Sequence, residues 1–248
     1  MSLTSTQPIS AARAGSLPAG DFLYMDAARR EPFVGILRTG PEYAWVDTRH
    51  AGGQAATEGL FGLLAAVGAT GARLESLAGF IFAEGPGSTL GIRIAAAVLR
   101  TWHALPVLNG KIIFAVNSLT LGAHLLLRAK PGLRDFSIIA DSRQGWWNTV
   151  EVRGGHVPAD FREFPASGLS TLPAPHFRVV QRPLFSSPPV ETQLFPENAL
   201  ELDPAVLATP GLLRPTSAPD AANLPGAFVK WTPSGVAHST PPDSTLSP

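Results

Sequence analysis

The stretch Glu84-Gly85-Pro86-Gly87-Ser88-Thr89-Leu90-Gly91-Ile92-Arg93 constrains the fold of this chain more than any other. An apolar run from Leu77 to Ala83 leads into it and reads as a buried strand. A longer apolar run from Ile92 to Leu105 leads out of it and reads as a helix. Strand, glycine turn and helix in that order aim backbone N–H groups at an anion or at a second backbone. Gly85 and Gly87 allow close approach, Pro86 stiffens the turn, and Ser88 or Thr89 can cap the helix. Neither common phosphate fingerprint is met. A P-loop has Lys followed by Ser or Thr after its last glycine, where this chain has Ile92 and Arg93. In the dinucleotide motif the third glycine comes one residue earlier than Gly91 does. Two readings stand: a phosphate-type site that includes Gly85, Gly87 and Ser88, or a structural turn.

Around this turn the pattern is α/β. Asp21–Asp26, Phe33–Leu37 and Tyr43–Asp47 read as an antiparallel meander, with turn residues between the strands. Gln54–Val67 reads as a helix whose Ala55, Leu60, Leu63, Leu64 and Val67 share a face. After the glycine turn, Lys111–Val116 reads as a strand, and Asn117-Ser118 caps a helix running to about Ala129. Phe136–Asp141 and Trp146–Val152 then form a hairpin. Strand, acidic residue, small turn, strand repeats the arrangement of Leu23 to Leu37. Past Gly155 proline becomes frequent; Phe177–Val180 reads as one more strand and Pro204–Ala208 as a short helix.

Composition excludes several classes. The chain has no cysteine, so disulfides, thiolate metal sites and a cysteine nucleophile are out, which fits a reducing cytoplasm. No apolar run has the length of a membrane span, and the first twenty residues lack the apolar core of a secretory signal. Nineteen basic and nineteen acidic residues give no net charge. That disfavours strong direct binding to nucleic acid, because such affinity rests on phosphate neutralisation, and it leaves self-association poorly opposed.

The run G-P-G-S-x-x-G-[IL]-R between a strand and a helix resembles the GPGSFTGLR signature of the TsaB (YeaZ) family. Gly85, Pro86, Gly87, Ser88, Gly91 and Arg93 match it; Thr89 and Leu90 stand where the family usually has Phe and Thr. Asp141, Arg143 and Gly145 match the D-A-R-x-G of the family's second half, and Gly226–Trp231 loosely resembles its closing segment. The resemblance implies an actin-like ATPase (ribonuclease H-like) α/β fold with two duplicated half-domains, the second reduced. The divisions expected are 1–20, a flexible leader; 21–110, the first half; 111–231, a proline-rich second half; and 232–248, a disordered tail.

Its functional implication is a non-catalytic subunit in the synthesis of N6-threonylcarbamoyladenosine, the modified base beside the tRNA anticodon. The expected partners are a TsaD-like catalytic paralogue and a TsaE-like ATPase, with a homodimer in isolation and tRNA touched only indirectly. The helices Gln54–Val67 and Ile92–Trp102 would supply the interface through Leu60, Leu63, Ile92, Ala96 and Leu99. The second of these helices is apolar almost all round and needs cover on two sides, from its own chain or from another subunit.

Chemistry is thin. The six histidines, at 50, 103, 124, 156, 176 and 238, include no pair at the H-x-x-x-H spacing that the catalytic sister family carries. No G-x-S-x-G elbow is present, so Ser88 lacks the setting of a serine nucleophile. Acidic candidates are Asp26, Glu58, Glu84 and Asp141, and Arg93 can take a carboxylate. In actin-like ATPases, acids at the positions of Asp26 and Asp141 serve Mg²⁺ and water beside ATP or ADP. Active members follow the first acid with Gly, Ser or Thr; here Ala27-Ala28-Arg29-Arg30 follows Asp26. An ATPase or phosphotransferase of this superfold is therefore the alternative function, and a stand-alone dimeric remnant is another.

Overall fold

The computed structural model describes residues 17–52, 56–179, 188–196 and 199–221. The expected leader lies almost wholly outside the described residues, as do the closing segment Gly226–Trp231, the tail, Gln54 and Ala55, and the side chain of Glu58.

Strands β1 (Gly20–Asp26), β2 (Phe33–Thr39) and β3 (Ala44–His50) form the antiparallel meander. Helices α1 (Ala56–Ala66) and α2 (Gly71–Ser76) lead to β4 (Gly79–Gly85), which pairs parallel to β1. Helix α3 (Thr89–His103) crosses over to β5 (Ile112–Asn117), parallel to β4. The central strands read as continuous apolar runs because both faces are covered. Leu23, Met25, Phe80, Phe82, Ile113 and Ala115 point into the core beneath α1 and α3, while Phe22, Tyr24, Ile81, Ala83, Phe114 and Val116 point into a second core on the opposite face. This is the period-two alternation of a strand, used twice.

Helix α4 (Ser118–Ala129) joins the two halves. The Asn117 side chain caps it, its Oδ1 accepting from the N–H groups of Leu119 and Thr120 at 3.0 Å each. Its Leu121 and Leu125 pack against the first sheet, and its Leu119, Ala123 and Leu126 against the second. The second sheet holds β6 (Phe136–Arg143), β7 (Trp146–Val152), β8 (Arg162–Pro165), β9 (His176–Val179) and β10 (Thr192–Leu194). Its order, β10-β9-β6-β7-β8, repeats the first sheet's β5-β4-β1-β2-β3, with the same two antiparallel and two parallel pairings. The second copy is reduced: where α1 and α2 lie between β3 and β4, only a 3₁₀ turn, Ala166–Thr171, lies between β8 and β9.

The boundary expected at residue 110 is corrected by the pairing. Strand β5 belongs to the first sheet, and β11 (Leu213–Pro215) comes back from the far end of the chain to pair antiparallel with it. Between β10 and β11 the described chain forms the short helix α5 (Ala199–Leu202) and a 3₁₀ turn, Pro204–Ala208. The first half is thus completed by residues a hundred positions downstream. No helix among the described residues is long and apolar enough to cross a membrane.

Candidate functional site

At the C-terminal ends of the central strands, the glycine turn meets the β1–β2 turn. Gly85 leaves β4 with φ of +103° and Pro86 follows through a cis peptide bond. The Ser88 N–H donates to the Ala28 carbonyl at 2.9 Å, and the Ser88 hydroxyl accepts from the Gly91 N–H at the start of α3. A Cβ on Gly87 would lie 2.3 Å from the Ala28 carbonyl oxygen, and one on Gly91 would lie 2.1 Å from that of Ala27. Both glycines therefore let α3 dock directly onto the backbone of the β1–β2 turn. The close backbone approach that the glycine spacing allows is made here to the chain's own turn.

Asp26, at the end of β1, is buried, and its Oδ1 accepts the Ala28 N–H at 3.0 Å. Burial pushes its carboxyl above the usual range; the nearby Arg29 guanidinium and the Ala28 N–H act the other way. An acid raised on folding costs stability once it is ionised: the folded chain holds its proton more tightly, so this cost is relieved as pH falls into the acid range. Asp26→Asn keeps an oxygen for the Ala28 N–H and removes the buried charge. We expect it to raise the melting temperature at pH 7, a gain that shrinks on acidification; calorimetric scans of both proteins across the acid range check this. Asp26→Ala, which leaves the Ala28 N–H without its acceptor, should lower the melting temperature.

Asp141 sits at the matching place on β6, half-buried, with Arg178 Nη2 3.3 and 3.4 Å from its oxygens. Burial raises its carboxyl and Arg178, which also stacks over the Trp147 ring, opposes the rise. Glu84 is buried and paired with Arg214 of β11 at 2.5 Å.

Between the halves, Asp26, Arg29, Ser118, Gly122, Phe195 and Leu200 line a cavity of about 70 Å³. Sites for small molecules run to about 300–1,000 Å³. Ala27 and Ala28 offer no hydroxyl to a phosphate, and the N–H of Ser88 and the Cα faces of Gly87 and Gly91 are taken up by the β1–β2 turn. ATP or ADP with Mg²⁺ does not fit this arrangement. Among the described residues no cluster of three or more His, Asp or Glu could hold a metal ion.

A second candidate surface lies on the outer side of α1 and α3. Here the expected side chains need correction. Leu60, Leu63, Ala96 and Leu99 are buried in the core beneath these helices, and Ile92 is buried against the opposite face of the first sheet. They line the helix faces that meet the sheet. The outer faces carry Phe61, 53% exposed, with Ala65, Ala97 and Thr101 exposed and Ile94 and Trp102 half-buried. Together with Leu64, Ala69, Thr70 and Val98 they line an open, mostly apolar groove of about 570 Å³. The Trp102 ring forms one wall, packed on Phe80 with centroids 5.5 Å apart. Arg93 is exposed on α3.

The duplicated halves, each with strand order 3-2-1-4-5 and joined through α4, make this an actin-like ATPase fold. Among solved structures, the chain is similar to YeaZ from Pseudomonas aeruginosa, at 19% identity over 64% of this chain and 75% of that one, with a TM-score of 0.47. It is also similar to a protein with similarity to peptidase YEAZ from Pseudomonas aeruginosa (19% identity, 64% and 74% covered, TM-score 0.45) and to the Aquifex aeolicus PPX-GPPA enzyme (9%, 60% and 53%, 0.34). No protein-family model and no curated protein matches the chain.

Proposed function

We propose that this chain is a non-catalytic binding subunit of the TsaB kind, acting in the formation of N6-threonylcarbamoyladenosine on tRNA. It holds a TsaD-like catalytic paralogue, the TsaE-like ATPase joins that assembly, and tRNA is reached through the partner. The observation that carries this reading is the open groove between α1 and α3, whose rim exposes the Phe61 ring. An exposed aromatic beside a half-buried tryptophan is the composition of a protein-binding centre. The glycine signature from Gly85 to Arg93 supports the choice of family. The ATPase reading lacks support, because the glycine turn is packed against the β1–β2 turn, and Ala27 and Ala28 offer no hydroxyl to a phosphate.

The test is co-expression with the TsaD-like paralogue from the same genome, followed by affinity purification and sizing. A stoichiometric complex is expected. A chain that purifies alone as a stable homodimer, through repeated trials with the paralogue folded and in excess, would contradict the proposal and favour a remnant without the pathway role.

A further inference from the structure

We propose that residues 188–196 and 199–221 act as an intramolecular latch: they fill the crevice between the halves and hold them at one fixed opening, so that the fold needs no ligand there. The segment is attached at both ends to different sheets. Its first strand, β10, pairs with β9 of the second sheet, and its last, β11, pairs with β5 of the first. Whatever moves the halves apart must therefore strain or detach it.

What lies between those two attachments is built as a wedge. Phe195 packs against the core of the first half and the core of the second. Gly122 of α4 makes room for it: a Cβ there would come within 3.3 Å of the Phe195 ring. The Phe195 N–H is tied to the Arg178 carbonyl at 2.9 Å, which aims the ring from the second sheet toward α4. Five residues on, Leu200 is buried in the first half's core, and its carbonyl accepts the Trp45 indole N–H at 3.3 Å.

Charge then fastens the wedge. Glu201 reaches Arg29 of the β1–β2 turn at 2.6 Å, with the side chains only 13% and 19% exposed. Two more pairs follow along the segment, Asp203 with Arg128 of α4 at 2.5 Å and Arg214 with Glu84 of β4 at 2.5 Å. The Arg100 guanidinium of α3 donates to the Pro219 carbonyl at 2.8 Å. The shielded Arg29–Glu201 pair counts most, because exposed pairs contribute little while a buried charge that loses its partner is strongly unfavourable. It also sits beside Asp26, at the strand ends where open α/β sheets take their ligands. The segment thus crosses the crevice between the halves beside Asp26 and contacts both of them.

Because the chain has no cysteine, two introduced cysteines give a clean spin-label pair. Glu42→Cys in the β2–β3 turn and Gln144→Cys in the β6–β7 turn are exposed and lie one in each half. Double electron–electron resonance on this full chain should give one narrow distance distribution, unchanged by ATP with Mg²⁺. Added to it, Glu201→Gln keeps the shape and drops the charge, and Phe195→Ala removes the wedge; each should at least double the width of the distribution. Circular dichroism establishes that each variant is folded, and Phe195→Leu replaces Phe195→Ala if the latter is not. Distributions as narrow as the parent's in the folded Glu201 and Phe195 variants would overturn the latch. So would a shift of the parent's distance on adding ATP with Mg²⁺.

Discussion

Gly91→Ala is expected to destabilise the chain by about 3 kcal/mol, the upper part of the range for overpacking, read as a lower denaturant midpoint at unchanged slope. Two effects compete. Alanine is the better helix former, and at an ordinary helical position the exchange would gain about 0.8–1.0 kcal/mol. At Gly91 the new Cβ would lie 2.1 Å from the Ala27 carbonyl oxygen, where van der Waals contact needs well over 3 Å. The obstacle is backbone on both sides, so no rotamer relieves it. Helix α3 must move away from the β1–β2 turn, and the Ser88 N–H bond to Ala28 is lost with it. Gly62 of α1 is the control. A Cβ there meets nothing within 4 Å, so Gly62→Ala should stabilise the chain by about the propensity difference. Opposite signs for the same exchange on two neighbouring helices would tie the glycine signature to close packing. Equal signs would detach it.

The second large effect separates the two faces of the helix pair. Phe61→Glu should leave the stability of the isolated chain within about 0.5 kcal/mol, as an exposed substitution does, yet weaken the complex with the TsaD-like paralogue by at least about tenfold, or 1.4 kcal/mol. Leu99→Ala should do the reverse. It empties a fully buried site and costs about 2–5 kcal/mol of stability, while leaving the groove's side chains in place. Ala96→Glu, by contrast, would put a charge into the core, so its effect on partner binding would report unfolding. Denaturant titration beside a binding isotherm, on the same preparations, separates the cases. Loss of both properties in Phe61→Glu would mean that its ring is needed by the fold, and the groove would lose its assigned role.

Much of the architecture was legible because local signals and tertiary demands agree. The runs at Phe22–Met25 and Phe80–Ala83 are continuous because both sheet faces are covered, and Asn117-Ser118 announces α4 through a cap that forms as read. The duplication was visible in the paired strand–acid–turn–strand units whose acids are Asp26 and Asp141. The short strands were not legible. Strands β8, β10 and β11 have only three or four residues, with proline and arginine in β8 and β11, and each is fixed by a neighbour rather than by its own pattern. The return of β11 to β5 joins Leu213 to Val116, and nothing local encodes it.

The candidate site was half legible. Periodicity groups Ile92, Ala96 and Leu99 on one side of α3, but does not say whether that side meets the sheet or a partner. The missing signal was polar: Arg93, Arg100 and Thr101 mark the solvent side, and Ala97 lies among them. The crevice residues Phe195 and Glu201 had no such signal, since their partners in α4 and the β1–β2 turn lie 73 and 172 positions away in the chain.

The central claim is that the groove between α1 and α3 is where the partner sits. Hydrogen–deuterium exchange of the chain alone and saturated with the TsaD-like paralogue tests it directly. Protection is expected in the segments that carry the groove, from Phe61 to Thr70 and from Ile94 to Trp102, with the crevice residues around Asp26 and Phe195 unchanged. Protection that falls on the crevice and spares both helices would contradict it.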